Sequence, residues 1–200
     1  METWSIGTNI LEYDDDTHTY LVDGVIVPSV TQVLGVKFGD KYAGVDRDTL
    51  QRAAYRGTLV HKSIESYCKG DETLREVKEV RNFRFLLNYY AYQVRQNEVP
   101  IIIYRFCKPV AAGRLDLILS DELNENYAVA DIKTTATLDK EYLAYQLNLY
   151  RIGYIQSYGR SITELYGVHL RDDKRKLVKI PINEAIAWDI IDEYERSKYE

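Results

Sequence analysis

Apolar residues recur along this 200-residue chain at two spacings, every second position or one face of a helix, and the switches between the two divide it into elements. Near the start, Glu12-Tyr13-Asp14 and His18-Thr19-Tyr20-Leu21-Val22 alternate, with the polar Asp14-Asp15-Asp16-Thr17 between them. Asp23-Gly24 is a turn signal before Val25-Ile26-Val27, so a small β-meander is expected. The three aspartates lack the glycine and terminal glutamate of a calcium loop, and a hairpin turn accounts for them better. Ser29 then offers an N-cap for a short apolar helix containing Val30, Val33 and Leu34.

Helical spacing dominates the next fifty residues or so of the chain. Leu50, Ala53, Ala54, Gly57, His61, Ile64 and Cys68 trace an approximate heptad seam. Residues 71–96 are expected to form a charged amphipathic helix or helix pair, with Val80, Phe83, Leu86, Leu87 and Tyr90 on one face. Three strand-like runs come next, at 99–104, 112–119 and 128–135. Leu143, Leu147, Tyr150 and Tyr154 restore the helical spacing, runs at 163–170 and 176–180 predict a hairpin, and a last helix starts near Asn183 with Ile186, Trp188, Ile190 and Ile191 for packing. This order predicts an α/β fold, a three-layer sandwich of helices on a mixed central sheet. The length suits one domain over 1–200, with the meander and short helix in 1–35 and the core in 45–200.

Composition narrows the setting. No apolar run approaches membrane-spanning length and no charged-then-apolar leader is visible, so a cytoplasmic protein is expected, in a bacterium or in the host of a phage. Cys68 and Cys107 are the two cysteines, a usage that fits a reducing compartment. There is no internal repeat or low-complexity linker.

The chemistry lies in two of the strand-like runs. Ala112-Gly113-Arg114-Leu115-Asp116-Leu117-Ile118-Leu119 and Ala128-Val129-Ala130-Asp131-Ile132-Lys133-Thr134-Thr135 each place a carboxylate where a buried strand tolerates none without compensation. Alternation puts Asp131 and Lys133 on one face and Ile132 on the other, and a hairpin partner carrying Asp116 adds a second carboxylate. Carboxylate oxygens suit Mg²⁺, and a lysine beside them can orient or deprotonate a water, which together make a phosphodiester-hydrolysing set. Taken alone, Asp131-x-Lys133 is also what a solvated edge strand with a surface ion pair looks like.

The pattern of Asp116, a turn-containing gap, then Asp131-Ile132-Lys133 resembles the PD-(D/E)XK nuclease superfamily. Two flanking helices resemble its RecB-like, phage-type exonuclease branch, related to lambda exonuclease: Gln146-x-x-x-Tyr150 downstream, and Gly57-x-x-x-His61-x-x-x-Glu65 upstream. The Pro28-Ser29-Val30-Thr31 segment is similar to one in phage-type members. By itself the first helix could be an ordinary amphipathic one, and His61 a satisfied core histidine; the three signals in the family's order favour the resemblance.

The resemblance implies a restriction-endonuclease-like core and a metal-dependent DNA exonuclease of phage or prophage recombination or repair. It implies one or two Mg²⁺ or Mn²⁺ ions on His61, Asp116, Asp131 and the Ile132 carbonyl. Lys133 would position or activate water, with Gln146 and Tyr150 orienting the strand or the lysine. Glu65 and Glu98 are supporting candidates, though a surface glutamate explains Glu98 equally well. The two cysteines exclude the four-cysteine iron–sulfur cluster of some relatives. The implied partners are DNA and a separately encoded single-strand annealing protein or helicase, with room for a homo-oligomer and no role for a membrane. The alternative is a nucleic-acid-binding or recombination-accessory protein that keeps the fold without turnover.

A formal net charge of −5 sits awkwardly with phosphate binding, so the cations must be unevenly placed. Lys37, Lys41, Arg47, Arg52, Arg56 and Lys62, around the His61 helix, are the expected basic set, with Arg114 and Lys140 near the strands. Of these, Arg56, Lys62 and Arg114, together with Thr134, are the candidates for DNA contact.

Overall fold

A computed structural model describes residues 1–121 and 126–199; the turn expected between the Asp116 and Asp131 strands lies outside them. The chain begins with an antiparallel meander, β1 (Glu2–Ile6), β2 (Asn9–Asp14), β3 (Thr19–Val22) and β4 (Val25–Val27), in that spatial order. Strand β1 is one more than the alternation announced, because only Ile6 within it is buried. Helix α1 (Val30–Phe38) comes next, capped as expected by Ser29, whose hydroxyl accepts from Gln32 N–H while the Gln32 side-chain oxygen accepts from Ser29 N–H.

Helices α2 (Arg47–Cys68) and α3 (Lys78–Tyr90) lead into the central sheet. Its strands are β5 (Tyr92–Arg105), β6 (Lys108–Asp121), β7 (Tyr127–Lys133), β8 (Glu164–Arg171) and β9 (Lys174–Ile180), in that order. β7 and β8 are parallel, joined by α4 (Lys140–Tyr158), and every other neighbouring pair is antiparallel. Helix α5 (Glu184–Ser197) closes the described chain, N-capped by Asn183.

The sheet is the middle of three layers. On one face Val30, Val33 and Leu34 of α1, Leu143, Leu147 and Tyr150 of α4, and Ala187, Ile190 and Ile191 of α5 pack on Val99, Ile101, Ile103, Leu115 and Val129. On the other, Val60 and Ile64 of α2 and Val80, Phe83 and Leu86 of α3 cover Leu117, Leu119, Ala128, Ala130, Ile132 and Val168. Burying a side chain such as Phe83 contributes about 1.5–3 kcal/mol, so these two cores fix the helices and whatever they carry. The meander buries Leu11, Tyr13, Tyr20 and Val22 against Ile102 and Ala112, extending the α2 side of the sheet. Among the described residues no helix is long and apolar enough to cross a membrane.

Two expectations change. The helical reading of 71–96 ends at Tyr90, because Ala91 takes the left-handed conformation (φ 56°, ψ 39°) and Tyr92 already pairs with Asp121 in the sheet. Before α3 a short 3-10 turn covers Glu72–Glu76, and Tyr90 points outward rather than into the core. The α2 seam is seated only in its second half: Val60 and Ile64 are buried, whereas Ala53 and Ala54 are exposed and Leu50 half-buried, because the helix projects beyond the sheet at its N-terminal end.

Close backbone approach fixes α4. A Cβ at Gly153 would overlap the Ile101 side chain and stand 3.1 Å from Ile103 Cγ1. Gly153→Val should therefore lower stability by about 2 kcal/mol, a fall in melting temperature on the order of 5 °C. Gly35, in open space within α1, should behave oppositely, and Gly35→Ala should raise stability by about 0.5–1 kcal/mol. Thermal melts of the two variants check both signs.

Candidate active site

The site begins where two strands change face together. Leu115 lies in the α1/α4 core and Leu117 in the α2/α3 core, two residues apart, whereas an unbroken strand keeps such residues on one side. In β5 the same happens between Val99, in the first core, and Asn97, whose side chain donates to the Glu65 carbonyl of α2 at 3.1 Å. Between them stand Glu98 and Asp116, skipped by a register that pairs Asn97 with Leu117 and Val99 with Leu115. Glu98 has φ 48°, a backbone conformation that costs a residue with a side chain about 1 kcal/mol or more. The irregularity turns both carboxylates toward α2.

A gap in the ladder opens beside them. β6 and β7 pair only as far as Leu117 with Ala130, so the Ile132 N–H and C=O lose their strand partners on that side. Side chains satisfy both: Ile132 N–H donates to Asp116 Oδ2 at 2.6 Å, and His61 Nε2 donates to the Ile132 carbonyl at 3.0 Å. That bond sets the imidazole tautomer, leaving Nδ1 with its lone pair 3.6 Å from Asp116 Oδ2. A histidine held through one nitrogen by a backbone carbonyl is oriented as metal-ligating histidines usually are.

His61, Glu98 and Asp116 each bring one ligand atom to within 4.8 Å of the others. Two carboxylates and an imidazole make a donor set for a divalent cation, and the borderline nitrogen suits Mn²⁺ better than Mg²⁺. Burial and the Asp116 charge push Glu98 up to about 7, while Arg114 and His61 pull the other way. Burial lowers the His61 pKa, but Asp116 and Asp131 outweigh it and the net shift is upward. A site whose carboxylates repel one another and lack enough cationic compensation is one that a cation would fit.

Asp131 stands apart from this trio. It lies on the α4 side of β7, 2 % exposed, with its Oδ2 2.5 Å from Lys133 Nζ. That oxygen is the one buried side-chain polar atom among the described residues without a well-formed hydrogen bond, and burial raises the carboxyl's pKa. Lys133 Nζ also donates to Gln146 Oε1 at 3.0 Å, and Gln146 Nε2 to the Tyr150 hydroxyl at 3.4 Å. Burial opposes the Lys133 charge, yet Asp131 and Asp116 raise its pKa overall. Gln146 thus contacts the lysine directly, and Tyr150 contacts Gln146. The Ile132 carbonyl, expected among the ligands, accepts from His61 Nε2.

A cleft of about 740 Å³ gives access, with His61, Glu65, Glu98 and Asp116 on its floor and α2 as one wall. The opposite wall is the meander, through Tyr13, His18 and Tyr20, which the sequence did not mark for function. Their signal was the density of ring side chains in one short hairpin. Glu65 also pairs with Lys69. Lys62 is exposed at the cleft, Thr134 lies beside Gly57, and Arg114 is held between Glu98 at 2.9 Å and Glu2 at 3.1 Å.

Half of the expected basic set is paired with carboxylates, Arg114 among them. Lys37 pairs with Glu141 at 3.1 Å, Lys41 with Asp139 at 2.6 Å, and Arg56 with Glu79 and Asp172 at 3.4 and 3.3 Å. Arg52 bonds back to the Asp48 carbonyl of its own helix.

Scanned against protein-family models and against curated proteins, the sequence matches none. Among solved structures, the fold is similar to that of a protein called SSO0001, with a TM-score of 0.50 at 19% identity over 86% of this chain and 75% of that one. It is similar also to a protein of Eubacterium rectale provisionally named an exonuclease, with a TM-score of 0.50 at 13% identity over 86% of this chain and 79% of that one. At these identities the likeness is one of fold.

Proposed function

We propose that this chain is a divalent-metal-dependent deoxyribonuclease, an exonuclease of the kind that serves phage or prophage recombination and repair. The observation that carries the proposal is the arrangement around Ile132: the His61, Glu98 and Asp116 donors on one side of β7, and the Asp131 and Lys133 pair on the other. Sharing a fold with a protein provisionally named an exonuclease supports it.

His61, Glu98 and Asp116 would hold Mg²⁺ or Mn²⁺, with Asp131 as the adjoining carboxylate. A bound ion of this kind neutralises phosphate charge and lowers the pKa of water. Lys133 donates to Gln146 and is ion-paired with Asp131, and an N–H not used on Gln146 would serve an incoming water or a phosphate oxygen. Its positive charge would offset the negative charge that builds on the phosphoryl oxygens in a pentavalent state, an electrostatic contribution made without reorganisation. Gln146 is a positioning residue, its amide fixed by Tyr150 so that the oxygen meets the lysine. Arg114 and Lys62, at the rim, are the DNA contacts in this proposal, and a helicase or annealing protein acts as a separate chain.

The test is digestion of 5′- and 3′-labelled linear DNA and closed circular DNA, single- and double-stranded, with Mn²⁺ or Mg²⁺ and with EDTA. The expected result is ion-dependent release of short products from one end of linear DNA, with circles intact. Equal cutting of circles would replace the exonuclease with an endonuclease, and no product from any DNA with either ion would overturn the nuclease.

A further inference from the structure

Arginines clustered with exposed aromatic rings on one helix point to a second surface. Arg81, Arg84 and Arg175 are among the several described cations that form no ion pair, and these three gather beside exposed aromatic rings. All three lie on or beside the outer side of α3: Arg175 of β9 sits 3.8 Å over the Phe85 ring, and Arg84 lies 5.8 Å over Tyr67 of α2. Arg81, Phe85 and Tyr89 are spaced four apart, so they form one stripe along the helix.

The stripe exposes aromatic faces that a core would hide. Phe85 is 44% exposed, Tyr89 71% and Tyr90 46%. Phe85 and Tyr89 are nearly parallel, with centroids 6.0 Å apart at 16°, and Tyr90 meets Tyr89 edge-on at 4.9 Å. Parallel rings on a rigid helix, flanked by guanidinium groups with no acid to satisfy them, suit stacked bases and the phosphates joining them.

The position fits the cleft. Arg56, bound to Glu79 in the first turn of α3, is succeeded in α2 by Gly57 and Thr58, which line the cleft. From Glu79 the helix runs about 15 Å to Tyr89. We propose that the outer face of α3, with Arg81, Arg84, Phe85, Tyr89, Tyr90 and Arg175, binds single-stranded DNA, stacking the unpaired bases of a strand whose other part occupies the cleft. This deepens the nuclease reading and rests on it for the strand's course, while the binding itself is measurable without cleavage.

The test is fluorescence anisotropy of a labelled thirty-nucleotide oligothymidylate in EDTA, titrated with wild-type protein at several salt concentrations. The Phe85→Ser/Tyr89→Ser double variant removes only exposed rings; it should bind about tenfold more weakly, with an unchanged salt slope and unchanged circular dichroism melt. Arg81→Gln/Arg175→Gln should lower the slope of log affinity against log salt by about 1.4, twice the value per single-strand phosphate. Affinity within twofold of wild type in both variants overturns the proposal. So does a wild-type dimer in sedimentation that the ring variant abolishes while oligothymidylate binding stays intact, because the face is then a contact between copies. Loss of binding in the variants by a protein that cuts no DNA would retain the surface and refute the nuclease.

Discussion

Asp131→Asn will reduce ion-dependent DNA cleavage by about a thousandfold or more, and the metal-free variant will melt within a few degrees of wild type. The two halves of this expectation have one cause. Asp131 is buried, its Oδ2 lacks a well-formed hydrogen bond, and burial already pushes its carboxyl toward the neutral form. Asparagine keeps the shape and removes a charge that the interior disfavours, while Lys133 retains Gln146. A carboxylate whose loss leaves the fold almost unchanged but stops the reaction is held for chemistry. Cleavage rates and thermal melts of the same preparation check both.

Lys133→Ala should damage fold and activity together. Removing the lysine leaves the more deeply buried member, Asp131, with no cation beside it, a loss of about 3 kcal/mol, or on the order of 10 °C in melting temperature. The lower end of the usual range applies because the Lys133 side chain keeps 22% exposure. The deficit should also depend on pH. Lys133 lowers the Asp131 pKa, so its removal raises further a value that burial has already raised. A carboxyl with a raised folded-state pKa favours the fold below its unfolded value, near 4, and that advantage disappears as pH rises through the folded value. Lys133→Ala should thus approach wild-type stability in mild acid and fall furthest behind in mild alkali. Lys133→Met/Asp131→Leu, which replaces the pair with apolar residues, should recover most of the stability and none of the activity.

Part of the candidate site's geometry was legible because strand alternation is strict. Asp131 and Lys133 share a side of β7 and Ile132 packs on the other, as a period of two requires. The Gln146 and Tyr150 helix was legible for the same kind of reason, Leu143 and Leu147 fixing which face is buried. Glu98 was harder. Its approach to Asp116 depends on a change of face shared by two strands, which no single-strand pattern carries. Partners distant in sequence hid the fate of the cations too: Lys37 meets Glu141, and Arg56 meets Asp172, only once the layers have packed. The α2 seam misled because an apolar stripe records what a helix can bury, not how far the sheet beneath it extends.

The most direct test of a metal-dependent nuclease built on Asp131 and Lys133 is the rate of nucleotide release from end-labelled linear DNA by wild type, Asp131→Asn and Lys133→Met/Asp131→Leu, each with Mn²⁺ and with EDTA. Release by the wild type with Mn²⁺ alone, absent in both variants and in EDTA, is the predicted result. Wild-type-like release by either variant, or release that persists in EDTA, would contradict it.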